Sequence, residues 1–319
     1  MTPPLPNAAI APRRPVFDSH VDIVYALRQP GAPALAASPF APARLAAGGV
    51  HIVTSALYCA DEHNGPGGAA HLSTLLDEEQ RLLAGLPLLR TAADLQAAWH
   101  GGGAPGRLRL LENADPLLEF GVAAAVAAGI VTVGLTHVGG NRLADGNAVA
   151  APGGLTAAGR RLLAELAVAR RVIDVAHLAP PGFWQVVADY PGPLLCSHTG
   201  LRHFRDQPRN LDADQLNALL QRGGVVGLAF APGILMGSAA IDIDEVFRQL
   251  DWLVQCCGWE QVGIGSDFGG FAGVCRGLEN HAGLPALAAR LVRAGYPPEA
   301  IAGIMGENWR RFYAAVLPG

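Results

Sequence analysis

Eight short apolar runs, many of them β-branched, alternate with amphipathic segments along the 319 residues of this chain. The runs cover 15–18, 50–58, 107–111, 130–136, 171–176, 193–197, 224–230 and 261–266. They show little of the polar alternation of half-exposed strands, so they read as strands buried on both faces. Helical patterns separate most of them, most clearly at 71–85, 91–99, 115–128, 155–170, 182–189, 212–222 and 241–257. Two further helices are expected after the last strand, near 284–295 and 297–314. Strand–helix alternation builds βαβ units and so a parallel sheet. Eight units predict an α/β chain folded as a (β/α)8 TIM-like barrel, a single domain over 15–319 with two extra C-terminal helices. A doubly wound open sheet is the alternative. It would gather ligands at one switch point instead of around a ring.

Six of the eight predicted strands end in a residue that can do chemistry. They are His20, Glu112, His137, His177, His198 and Asp267. In a (β/α)8 barrel, functional groups sit at the C-terminal ends of the strands, so these six are expected to face one another. Imidazole and carboxylate are the ligand set of zinc and similar divalent ions. Asp22 follows His20 by two residues, which puts both side chains on one side of an extended segment. An isolated His-x-Asp is more often a strand end and a turn cap than a ligand pair. His177 and His198 end successive strands, which lie about 4.8 Å apart when paired. Either histidine alone is as readily a satisfied core residue; together with His20 and Asp22 they point to one shared site.

Glu112 has two oxygens and can bridge two ions. A bridging carboxylated lysine is excluded, because all 23 Lys and Arg residues are arginine. Glu112 competes with Asp115 for the role of helix-capping acid. Asp267, in GIGSDFGG, is suited to proton transfer between water and a leaving amine; its plain alternative is a turn aspartate before glycines. Arg209 offers a planar fork for a substrate carboxylate, with Arg202 and Arg205 as nearby competitors.

Composition narrows the function classes. Half the residues are hydrophobic and 16% are charged, enough for a sizeable core. A net charge of −4 gives no electrostatic footprint for nucleic acid or an anionic membrane. Five cysteines without framework spacing fit a reducing compartment. Residues 1–14 read as a flexible tail without the apolar core of a secretory signal, and no run reaches transmembrane length uninterrupted. A cytoplasmic location is expected. The glycine clusters at 65–68 and 101–103 do not follow a strand and open a helix, so they are not phosphate-binding loops.

The pieces DSHVD (18–22), LLEN (110–113), LTHVGGNRLADG (135–146), VIDVAH (172–177), CSHTGLRHFRDQPRNLDADQL (196–216), GIGSDF (263–268), CRGLEN (275–280) and GENWRRFY (306–313) are each loose, but their order and spacing are specific. Together they resemble the membrane (renal) dipeptidase family of zinc peptidases across nearly the whole chain. The resemblance implies a (β/α)8 barrel with two Zn2+ ions, zinc or another divalent metal. His20 and Asp22 would hold one ion, His177 and His198 the other, and Glu112 would bridge them with a hydroxide between. His137 would contact the substrate and steady the tetrahedral intermediate. Asp267 would carry the proton to the leaving amine, and Arg209 would hold the terminal carboxylate.

The expected activity is hydrolysis of the peptide bond of a dipeptide, with a small peptide or amide as substrate and a homodimer as the assembly. The alternatives are an amidohydrolase acting on N-acyl or D-amino-acid substrates in a biosynthetic pathway, a mononuclear deaminase or lactonase, and an inactive barrel used as a binding module. Three features depart from the family pattern. Gly269 stands where a second acid is usual, Asn113 stands where glycine usually follows the glutamate, and no secretion or anchoring signal is seen.

Overall fold

The computed structural model describes residues 14–319, so the expected tail at 1–14 lies almost wholly outside the described residues. Ten strands form among the described residues: β1 Val16–Val21, β2 Val50–Tyr58, β3 Gly106–Glu112, β4 Ile130–Gly134, β5 Val172–Asp174, β6 Leu194–Thr199, β7 Val226–Leu228, β8 Ala240–Asp242, β9 Val262–Ile264 and β10 Val274–Arg276. Eight of them close a barrel in the order β1-β2-β3-β4-β5-β6-β7-β9. Every neighbouring pair is parallel. Each barrel strand falls on one of the eight apolar runs, and the (β/α)8 barrel is the observed fold.

Strands β8 and β10 pair separately in a two-stranded parallel sheet outside the barrel. The sequence reading missed both, because each buries only its central residue and so leaves no apolar run. Two helices also differ from expectation. The segment expected at 115–128 splits into Leu117–Phe120 and Val122–Ala127 at Gly121, whose φ of 84° lies outside the helical region. The segment expected at 297–314 is Pro298–Ala302, a π turn at Gly303–Glu307, and Asn308–Val316.

That last helix fixes one end of the barrel. Trp309 and Tyr313 pack among Phe17, Ile52, Leu108, Val172 and Leu195, all near the starts of their strands. Trp309 Nε1 donates to Ile264 O at 3.0 Å, and the Tyr313 hydroxyl bonds Thr132 Oγ1 at 2.9 Å. With the N-terminal mouth filled in this way, the C-terminal mouth is left for chemistry.

On the outside of β3, Arg107 and Arg109 share the fully buried Glu79 of helix Gly68–Leu82. The closest contacts are both 2.6 Å, from Arg107 Nε to Oε1 and from Arg109 Nη2 to Oε2. Burial alone would raise the Glu79 pKa, but the two guanidiniums hold it below the usual carboxylate range. No helix among the described residues is long and apolar enough to cross a membrane.

Candidate metal centre

The strand ends bring the expected residues together in two ways. His20, Glu112 and His198 lie within β1, β3 and β6, near their C-terminal ends. His137, His177 and Asp267 lie three residues beyond β4, β5 and β9, where the chain has already turned. His177 and Asp267 reach inward from left-handed backbone, with φ of 64° and 63°. That conformation is uncommon for non-glycine residues, though His and Asp are enriched in it.

Asn113, after Glu112, has φ 74°. This accounts for one departure from the family pattern, because asparagine is among the few side chains that tolerate the conformation glycine adopts freely. Asn113 is also pinned, donating to Cys59 O and to Asn64 Oδ1 at 2.8 Å each. The other departure has a similar cause. Gly269 has φ 92°, and a Cβ there would lie 2.9 Å from Asp22 O, so an acid at this position would strain the backbone seen here.

Three imidazoles converge on a single carboxylate oxygen. Glu112 Oε1 lies 3.1 Å from His177 Nε2 and 3.9 Å from both His20 Nε2 and His198 Nε2. Asp22 Oδ2 is 3.3 Å from His20 Nε2. His177 Nε2 and His198 Nε2 face each other at 3.0 Å. Among the described residues, three groups have potential ligand atoms within 4.8 Å of one another: His20–Asp22–Glu112, Glu112–His177–His198 and His20–His198–Asp267. The first two share Glu112. All six residues are buried.

The electrostatics follow from this crowding. Burial opposes charging His20, but Glu112 and Asp22 outweigh it and push its pKa up to about 10. The carboxylates therefore favour a positive charge at this point. Burial and Arg209 push His177 down to about 3. Burial, with His20 and Arg209, holds His198 well below the usual imidazole range. Glu112 is held well below the usual carboxylate range; its burial acts upward, and His20 and His177 overcome it. Asp267 is driven well above that range by burial and by Asp22.

A divalent ion fits this donor set. The His177 and His198 imidazoles are held neutral and Glu112 ionised, the states in which such groups ligate metal. His20 Nε2 is buried and makes no hydrogen bond among the described residues.

A cavity of about 510 Å³ opens onto the cluster, within the range of small-molecule sites. His137, Arg209 and Asp267 line it, with Tyr25, Tyr58, Asn147, Gln207, Ile234 and Phe271. The His137 ring lies tilted against the His177 ring, with centroids 4.5 Å apart, and edge-on to Tyr58 at 4.6 Å. Arg209 is buried, and its Nη2 donates to His198 O at 3.1 Å and lies 3.3 Å from His177 Nε2. Arg202 and Arg205 are absent from the cavity wall. Arg202 instead bonds Asn210 O and approaches Asp212.

Sequence reasoning missed the tyrosines, Asn147, Asp174 and Ser197. One signal was present for Asp174: a charge inside an apolar run, VIDVA, needs a buried partner. Its Oδ2 accepts from Ser197 Oγ at 2.5 Å, and its Oδ1 accepts from the amides of Ser197 and Ala176 at 3.0 Å each. Burial pushes this carboxyl above its usual range, against the pull of those three donors.

Histidines and carboxylates gathered around the C-terminal mouth of a parallel barrel are the arrangement of a metal-dependent barrel enzyme. The chain belongs to the membrane dipeptidase family, peptidase family M19, whose sequence profile matches residues 7–316. An uncharacterized protein in the pqqA 5′ region of Klebsiella pneumoniae is 33% identical over 195 residues, 58% of this chain and 72% of that protein. Dipeptidase aclJ of Aspergillus oryzae is 27% identical over 213 residues, 64% of this chain and half of that protein's length. Among solved structures, a Rhodobacter sphaeroides metallo peptidase liganded with a phosphinate mimic of the dipeptide L-Ala-D-Ala superposes with a TM-score of 0.83 at 25% identity, over 96% of this chain and 99% of that one. A dipeptidase AC of family M19 shares the fold with a TM-score of 0.87 at 24% identity, over 96% of this chain and all of that one.

Proposed function

We propose that this chain is a dipeptidase that holds two divalent ions, zinc foremost. His20 and Asp22 would hold one, His177 and His198 the other, with Glu112 common to both. When bound, the ions supply Lewis acidity, polarising the scissile carbonyl and making water a stronger nucleophile near neutral pH. Arg209 binds the substrate's terminal carboxylate from the cavity wall. His137 faces the reacting carbonyl and donates to its oxygen as negative charge develops there. Asp267 takes the proton from the attacking water and delivers it to the leaving amine, so the C–N bond breaks as the amine becomes neutral.

The observation that carries this reading is the pair of ligand triads sharing Glu112, set beside a cavity with one buried arginine on its wall. A binding module without activity has no need of that whole set. A narrower reading concerns stereochemistry. The Rhodobacter peptidase is liganded with a mimic of L-Ala-D-Ala, which favours dipeptides whose second residue is D-configured.

The test is turnover by zinc-reconstituted protein on a panel of L-L and L-D dipeptides, N-acyl amino acids and C-terminally amidated dipeptides, with elemental analysis of the same sample. Close to two ions per chain and cleavage of free dipeptides alone are expected. A single ion after reconstitution would sink the binuclear reading. Equal cleavage of free and amidated dipeptides would move the weight to a general amidohydrolase.

A further inference from the structure

Ser197 precedes His198 on β6 and is fully buried. Its hydroxyl touches three groups. Asp174 Oδ2 is at 2.5 Å, His198 Nδ1 at 2.9 Å and His20 Nδ1 at 3.1 Å. A hydroxyl has one proton and two acceptor sites. Asp174 receives the proton, so both remaining contacts must be Nδ1–H groups donating to the same oxygen. Each ring then carries its proton on Nδ1 and presents Nε2 to the cluster around Glu112.

The two rings come from different strands, β1 and β6, and their centroids are 3.7 Å apart. One oxygen therefore sets the tautomer of two imidazoles. Its own place is fixed, since Ser197 N donates to Asp174 Oδ1 at 3.0 Å and Ser197 O accepts from Ser19 Oγ at 2.6 Å.

The same Asp–Ser clamp occurs a second time without imidazole ligands on its hydroxyl. On β1, Asp18 Oδ1 accepts from Ser266 N at 2.8 Å and Oδ2 from Ser266 Oγ at 2.5 Å. Asp18 Oδ2 also contacts His281 Nε2 at 2.9 Å. Ser266 precedes Asp267 as Ser197 precedes His198. In both clamps an aspartate on one strand grips the amide and hydroxyl of a serine next to it. Only at Ser197 does the hydroxyl also receive two rings.

We propose that Ser197, held by Asp174, is a positioning residue that locks His20 and His198 in the Nδ1–H tautomer and so couples the two metal sites through one hydroxyl. This rests on the reading of His20 and His198 as ligands of different ions. A metal-bound histidine depends on the partner of its other nitrogen for tautomer and orientation, and loss of that partner weakens metal binding by about 10–100-fold. Here one deletion removes the partner of two ligands at once.

The experiment uses the full chain labelled with 15N-histidine, metal-free and zinc-loaded. Long-range 1H–15N correlation reads the tautomer of each ring, with resonances assigned from single-histidine variants. Competition against a chromophoric chelator reads zinc affinity for the parent, Ser197→Ala and Ser266→Ala. The parent should show both rings protonated on Nδ1. Ser197→Ala should show mixed tautomers and lose about 10–100-fold in affinity at both sites, while Ser266→Ala, which orients no ligand ring, stays within about threefold.

Equal losses in the two serine variants would reduce Ser197 to a structural clamp and overturn the proposal. Parent-like affinity in Ser197→Ala would also overturn it, as would an Nδ1 without a proton on either ring in the parent. If the parent itself binds no zinc, the metal-centre reading fails, and the tautomers of the metal-free protein still decide whether the lock exists. The same parent spectrum decides the matter if Ser197→Ala does not fold.

Discussion

Glu112→Gln tests the centre most directly, because it changes one atom type and no shape. The Oε1 of Glu112 lies 3.1–3.9 Å from the Nε2 atoms of three histidines and belongs to two ligand triads. Two unit charges about 4 Å apart interact by about 4 kcal/mol at an effective dielectric of about 20. Each 1.4 kcal/mol is a factor of ten, so removing the charge should weaken a bound cation by about 10³-fold. For a divalent ion that is a lower bound. The loss should fall on both ions, because the residue is shared. His177→Ala, which belongs to one triad, should cost one ion and leave the other. Equilibrium dialysis against zinc buffers, followed by elemental analysis, reads both quantities, and circular dichroism checks that the barrel persists. A Glu112→Gln protein that keeps two ions within tenfold of the parent's affinity would refute the shared-carboxylate reasoning, whatever its activity.

Three other changes probe separate links. Asp267→Asn should keep its metal and fold while kcat falls by about 10²-fold or more, as for loss of a general acid/base; parent-like turnover would remove its proton-transfer role. Arg209→Met should chiefly raise KM for free dipeptides, the mark of binding shared by ground and transition states, while Arg202→Met and Arg205→Met stay close to the parent. A KM effect at Arg202 or Arg205 equal to that at Arg209 would shift the carboxylate clamp. Glu79→Gln strands two buried guanidiniums and should cost about 3–5 kcal/mol in urea unfolding. Because the folded Glu79 pKa is depressed, its contribution is present above the unfolded carboxylate pKa of about 4.3 and is lost as pH falls through the folded value. Parent stability should therefore drop faster with acid than that of Glu79→Gln, and parallel curves would contradict the assignment.

The barrel was legible because its signal is long range in sequence but simple in kind. Eight buried strands leave eight apolar runs, and helices with one wet face leave a 3.6-residue period between them. The candidate site residues stood out for a related reason, because they are polar residues that end apolar runs. What stayed hidden has identifiable physical causes. Strands β8 and β10 each bury only their central residue, so no apolar run marks them, and they pair with one another across 31 intervening residues. The resemblance pointed to Arg209, but spacing alone left Arg202 and Arg205 open, because it does not encode which arginine the loop turns to the cavity wall. Ser197 looked like an ordinary strand residue beside a histidine. Its role comes from Asp174 on β5 and His20 on β1, and only closing the barrel brings those two to its hydroxyl.

The departures from the family pattern lead to the same point. Among the described residues, four non-glycine positions have positive φ, and three of them, Asn113, His177 and Asp267, lie in or directly beside the site. A residue forced into this region costs of order 1–2 kcal/mol, less for asparagine and aspartate, whose short polar side chains bond locally. The chain accepts that cost where a strand ends and the next residues must swing a side chain back over the barrel mouth. A straight continuation of β5 or β9 would carry residues 177 and 267 away from Glu112. The left-handed turn is therefore part of how the candidate site residues converge, and the Asp174–Ser197 and Asp18–Ser266 clamps hold the neighbouring strands while it does so. Asn113 in place of the usual glycine keeps the turn and adds bonds to Cys59 and Asn64 that tie the loop after Glu112 to the loop after β2. Gly269 in place of an acid relaxes the turn after Asp267. Against its burial, Glu112 and Asp22, with a further contribution from Asp267, push the His20 pKa up to about 10 without any acid at 269.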